Sequence, residues 1–239
     1  LEPIVLGLAV APSQAGLSLG LAAIAGFLLR HPVKLALADR RRRVRYSRTA
    51  WAERFAVLYG AVAAGAMVLA VGTAGAAAGT VLGMAVVLVL IQFRYDLRHQ
   101  QRQLVPEIAG AAALSMMAPA IALAGGWASA PAVALWLVLM ARAAPAILYV
   151  RARLRQMRGV RAPIAPPLLA HVGGLAIVGG LTAARLVPWT GTVALAVLLA
   201  RAVHGLVWAG VPARAAVVGI QELVYGVLLI VLLVVGYLA

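Results

Sequence analysis

Arg30-His31-Pro32-Val33-Lys34-Leu35-Ala36-Leu37-Ala38-Asp39, running on into Arg40-Arg41-Arg42-Arg43-Val44-Arg45, is the densest block of charge in a chain that is otherwise almost all apolar. Uncharged runs flank it, from Ala15 to Leu29 on one side and from Phe55 to Phe93 on the other. A water-soluble domain keeps about a quarter of its residues charged; this chain has 11% charged and 64% hydrophobic residues. The block therefore reads as a loop between membrane spans, and the chain as a polytopic membrane protein.

The net charge of +15 comes from 21 lysines and arginines against six acids. Such a balance points to nucleic acid only when the cations share one water-facing surface. Here they are divided among short connections, so the expected partner is the lipid bilayer and not nucleic acid. There is no cysteine, which excludes disulfides, thiolate metal sites and a cysteine nucleophile.

Breaking the chain at glycine, proline and charge clusters leaves nine apolar runs: 1–12, 15–30, 51–71, 75–93, 105–125, 130–150, 165–185, 189–210 and 215–238. They lack the alternation of strands. The expected fold is all-α, a transmembrane bundle of about nine helices forming one domain over 1–239. The chain opens Leu1-Glu2-Pro3 without a basic n-region, so no signal peptide is read there. As a helix the run Leu1 to Ala11 would span only about 17 Å of a roughly 30 Å hydrocarbon core; the first span is expected to be cut short.

Charge then sorts the connections. Those after runs 1, 3 and 5 hold none, and the one after run 7 holds only Arg185. Those after runs 2, 4 and 6 hold Arg30 to Arg48, Arg94, Arg98 and Arg102, and Arg151 to Arg161, and Arg214 follows run 8. Such alternation is the positive-inside pattern. It predicts a cytoplasmic N-terminus and an external C-terminus. Two glycine series, Gly16 with Gly20 and Gly75 with Gly79 and Gly83, predict close helix contacts.

Ionisable groups inside apolar runs are costly and mark function by default. Arg142, Tyr149, His171, Arg201, His204 and Glu222 all fall in the half of their runs nearer the basic loops. Together they predict a polar cavity open to the cytoplasm. Glu2, Glu107 and Glu222 read as acids in the first turns of helices, where the dipole favours them. His171 and His204, at similar depth on consecutive helices, are also candidates for the axial pair of a b-type haem. A third ligand for zinc is absent near that pair, and no metal site is expected.

The blocks Arg30 to Arg41, Leu148-Tyr149-Val150-Arg151-Ala152-Arg153-Leu154 and Val218-Gly219-Ile220-Gln221-Glu222 resemble the YwiC-like bacterial membrane proteins. That resemblance implies a place in the bacterial inner membrane. The family pattern has a Glu-His-Gly-Ala-Trp block upstream of the position of Leu1, and no settled activity. Nine helices with cytoplasmic loops after helices 2 and 6 are also similar to the UbiA-type intramembrane prenyltransferases. Those enzymes hold magnesium and an isoprenoid diphosphate on aspartate-rich motifs at these loops. This chain departs from them, with only Asp39 at the first position and Arg142, Arg151 and Arg153 at the second, so magnesium is not expected. Arginine can grip a diphosphate directly.

The expected function is thus the binding of an anionic isoprenoid or lipid headgroup, transferase-like in its arrangement. Arg30, Lys34, Arg142, Tyr149, Arg151, Arg153, His171 and Arg201 would line the site. Glu222, His204 and Asp39 are the catalytic candidates, Glu222 or His204 for proton handling. The alternatives are a carrier for a small solute or ion, for which helices broken near the midplane would speak, and a haem-binding or accessory subunit of a respiratory complex. The sequence leaves the oligomeric state open.

Overall fold

The computed structural model describes residues 1–98, 100, 103–208 and 214–239; Arg102 lies outside these. Every regular element among them is helical. In order they are α1 (Glu2–Val10), α2 (Gln14–Arg41), α3 (Ser47–Thr73), α4 (Gly75–Leu97), α5 (Leu104–Ser115), α6 (Met117–Ala124), α7 (Ser129–Met157), α8 (Ala165–Ala183), α9 (Trp189–Val203), a π-helical turn (His204–Trp208) and α10 (Ala215–Leu238). Among the described residues eight stretches are long and apolar enough to cross a bilayer, with α5 and α6 counting as one and α9 with its π turn as another. The protein is a multi-pass, all-α membrane protein.

The nine expected runs reappear, with three differences of physical interest. First, α2 and α7 run 11 and 7 residues beyond the expected ends at 30 and 150, through Pro32 and Pro145. A proline removes one hydrogen bond, and the arginines that follow are good helix formers, so the helices continue past the apolar stretch. Second, the fifth run is broken at Met116. The Pro119 nitrogen has no proton to give the Ser115 carbonyl four residues back, and α5 ends at Ser115. Third, α9 loosens into the π turn, where the Leu206 carbonyl accepts a hydrogen bond from Gln156 Nε2 on α7 at 3.3 Å.

Short α1 is central. It packs against α6, α10 and α2, while α6 also touches α4 and α7. α7, α8, α9 and α10 follow one another side by side, and α10 returns to α1. Of the most apolar stretch of α5–α6, 61% is buried, against 11% in α3 and in α4. The core beside α1 is built from Leu6, Ala118, Leu135, Val138, Leu195, Leu229 and Leu233. Within lipid, apolar burial gives helices little reason to associate, and close packing of small residues takes over. A Cβ on Gly7 would lie 3.0 Å from Ile121 Cβ, and one on Gly174 would lie 2.7 Å from the Ala141 carbonyl oxygen.

The glycine expectation divides. Gly16 and Gly20 do face tight neighbours, Ile121 and Leu8 for one, Ile4 and Leu8 for the other. Gly75, Gly79 and Gly83 have nothing within 4 Å of an added Cβ. Gly75 serves the α3–α4 turn instead, at a φ of +74°.

Candidate functional site

At the centre of the bundle α1, α7, α9 and α10 each contribute one charged side chain to a single chain of contacts. Arg142, near the middle of α7, places Nη1 2.9 Å from Glu2 Oε2 on α1. Its Nη2 donates to the backbone carbonyl of Glu222 on α10 at 3.0 Å. Arg201 on α9 donates through Nη2 to the Glu222 carboxylate. Both guanidinium groups therefore meet at one residue, and four charges sum to zero. The Arg142 and Arg201 side chains are 13% and 7% exposed.

The backbone makes room for this arrangement. A Cβ on Gly226 would collide with Glu2 Oε1 and lie 2.6 Å from Arg142 Nη2. Arg201 lies against two rings, its Cζ 4.0 Å from the centroid of Tyr149 and 5.1 Å from that of Tyr225. Stacking of this kind suits the planar, weakly hydrated guanidinium. Tyr149 in turn meets the His171 ring edge-on at 6.5 Å, and a Cβ on Gly205 of the π turn would collide with the Tyr149 hydroxyl. His171 is buried, with Nδ1 2.7 Å from the Pro167 carbonyl oxygen.

Some hydrogen-bonding capacity is left over. Arg142 Nε, Arg201 Nε and Arg201 Nη1 are buried with no hydrogen-bond partner among the described residues. A cavity of about 190 Å³ lies against Arg142, lined also by Glu2, Ser115, Leu114, Leu139 and Ala143. Ser115 is the last residue of α5, so the break in the fifth run opens beside the charges.

Five of the expected residues, Arg142, Tyr149, His171, Arg201 and Glu222, lie together in this cluster. His204 does not join them: its side chain is exposed and its ring lies 6.1 Å from that of Trp208. Since His171 is buried and His204 faces outward, the pair proposed for haem does not share an interior. Asp39 is also elsewhere. It is buried at the α2–α3 hairpin, where Oδ2 accepts from the Thr49 hydroxyl at 2.7 Å and Oδ1 from Arg48 at 3.4 Å.

Arg30 and Lys34 stand one turn apart and exposed on α2. Arg151 pairs with Glu107 of α5 at 2.8 Å, and buried Arg153 donates to Gln156 at 3.4 Å. Among the described residues no three His, Asp or Glu side chains converge to hold a metal ion.

Sequence reasoning missed Glu2 as a member of the site. Its place in the first turn of α1 satisfies the dipole reading, and nothing local reveals Arg142 across the bundle. Glu222 shows the opposite error, since α10 starts at Ala215 and the acid sits two turns in. Its carboxylate is there for Arg201, not for the helix end. Gly205 and Gly226 gave no signal at all, because the atoms they avoid belong to other helices.

A model of the YwiC-like protein family matches residues 1–122. The chain belongs to the YwiC-like family. The matched half runs from α1 to α6 and includes Glu2 and the basic hairpin. The blocks from Leu148 to Leu154 and from Val218 to Glu222, which also resembled the family, lie beyond it, as do Arg142 and Arg201. No curated protein and no solved structure matches the chain. The UbiA-type likeness thus stands on the helix count and loop positions alone.

Proposed function

We propose that this YwiC-like protein is a carrier for a small solute in a bacterial inner membrane, with its pathway running past Glu2, Arg142, Glu222 and Arg201. The observation that carries this reading is that two helices are broken beside those charges. α5 gives way to α6 next to the cavity-lining Ser115, and α9 loosens into its π turn just after Arg201, where Gly205 lies against Tyr149. Broken helices at the depth of buried charge offer a substrate free backbone groups and give a segment a point about which to move. An ion-pair chain that only tied helices together would need neither break. The basic ends face the cytoplasm by the positive-inside bias, with the N-terminus inside and the C-terminus outside.

A second reading, an anionic isoprenoid or lipid headgroup held in a transferase-like site, is favoured by Arg30 and Lys34, exposed one turn apart on α2. Against a deep phosphate site stands the pairing of Arg142 and Arg201 with Glu2 and Glu222. Each buried cation already has its carboxylate, which leaves a phosphate little positive charge to claim. The carrier reading therefore ranks first.

Residues 1–239 contain no cysteine, so a single introduced one makes the test direct. Ser115→Cys and, separately, Ala143→Cys are exposed to a membrane-impermeant maleimide from one face of a sealed vesicle, then from the other. A carrier is expected to be labelled from either face, as its pathway opens to each in turn. Labelling from the basic face alone would favour the headgroup site, and a cavity sealed from both faces would overturn both readings.

A further inference from the structure

We propose that the buried charge chain binds a small oxyanion together with one proton, the proton going to the Glu222 carboxylate and the anion taking its place on Arg201. The purpose of such binding rests on the carrier reading, whereas the binding itself does not.

The argument begins with charge balance. Glu2 and Glu222 offset Arg142 and Arg201 within the apolar interior of the bundle. An anion entering alone would leave one uncompensated negative charge there, which a low-dielectric interior strongly disfavours. An anion entering with a proton leaves the sum at zero. Coupling in a one-to-one ratio follows from that neutrality.

Geometry selects Glu222 as the proton's destination. Its carboxylate engages Nη2 of Arg201, while Nε and Nη1 of the same group are buried without partners. Protonation weakens that one contact and exposes the fork of donors that suits two oxygens on one centre. Arg201 does not follow the departing carboxylate, because its Cζ keeps its contacts with the Tyr149 ring at 4.0 Å and the Tyr225 ring at 5.1 Å. Arg142 stays nearby through the Glu222 carbonyl, and its own Nε is likewise unpartnered.

The groups facing Glu222 and its partners are Glu2 from α1, Arg142 and Tyr149 from α7, His171 from α8 behind Tyr149, Arg201 from α9 and Tyr225 from α10. Glu2 keeps its pair with Arg142 throughout, so Glu222 alone changes state. A cavity of about 190 Å³ lies at the Arg142 end of the charge chain, lined by Glu2, Ser115 and Arg142 among others. The donor fork of Arg201 suits a small carboxylate or sulfonate, whose oxygens share one centre.

The probe is methanesulfonate, which stays ionised across the working pH range. It is titrated calorimetrically into the purified protein in lipid nanodiscs, in two buffers of different ionisation enthalpy, which counts protons taken up per anion bound. The expected result is one proton per anion for the unaltered protein and for the hairpin control Glu53→Gln. Glu222→Gln, already neutral, is expected to bind at least tenfold more tightly at neutral pH with no proton uptake. Glu222→Asp, the milder change should glutamine prevent assembly, keeps the proton count at one and shifts the pH at which uptake occurs. No binding, binding without proton uptake, or proton uptake surviving in Glu222→Gln would overturn the proposal. Two-sided cysteine labelling without proton-linked binding would refute this inference and spare the carrier. Proton-linked binding at a site reached from one face only would do the reverse.

Discussion

At the scale of single residues, the charge chain depends on an atom that is missing. Gly226 has no Cβ where Glu2 Oε1 and Arg142 Nη2 need space. Gly226→Ala is expected to push Glu2 off Arg142, leaving a buried cation short of its partner at a cost of about 3 kcal/mol. Thermal unfolding in detergent checks this, with Gly219→Ala on the same helix as the comparison. Nothing lies within 4 Å of a Cβ at Gly219, and alanine is the better helix former, so that variant should melt at or slightly above the parent temperature. Equal losses in the two would mean that helix propensity, not the ion pair, sets the effect. Neither glycine can be told from the other in the sequence, where both sit in an apolar helix.

At the scale of elements, the basic hairpin has become a clamp. Asp39 near the end of α2 holds Thr49 and Arg48 at the start of α3, and Glu53 of α3 holds Arg40 at 2.9 Å and Arg45 at 3.4 Å. Two acids thus fasten two helix ends against the mutual repulsion of the arginines between them. Asp39→Ala removes the buried acceptor of the Thr49 hydroxyl and one of these fastenings. Trypsin applied to the intact membrane-embedded protein is expected to cut the 40–48 segment several-fold faster in this variant. An unchanged cutting rate would show that the hairpin is held by α2–α3 packing alone. The sequence marked Asp39 as a catalytic candidate because it is the one acid left at the first loop position of the UbiA-type pattern. That same isolation suits an acid whose task is to neutralise them, and only the position of Thr49 distinguishes the two.

At the scale of the whole molecule, the alternation of charged and uncharged connections predicts orientation. Alkaline phosphatase fused after Ala239 should be active, and fused within the 41–46 connection it should be silent; the opposite pair of results would invert the topology and with it the side from which the cavity opens. Membrane residence, the helical class and the approximate spans were all legible, because apolar length is a local property that a bilayer reads directly. The break at Met116 was half legible through Pro119, since a missing N–H acts four residues away. Arg142, Arg201 and Glu222 could be picked out as charges too deep to be comfortable. What the sequence could not disclose was which of them meet, that Glu2 completes the chain while His204 turns away, or that Gly205 and Gly226 clear its path. Depth follows from counting along one helix, whereas pairing depends on how four helices rotate and approach. Packing settles that rotation, and packing belongs to the tertiary structure alone.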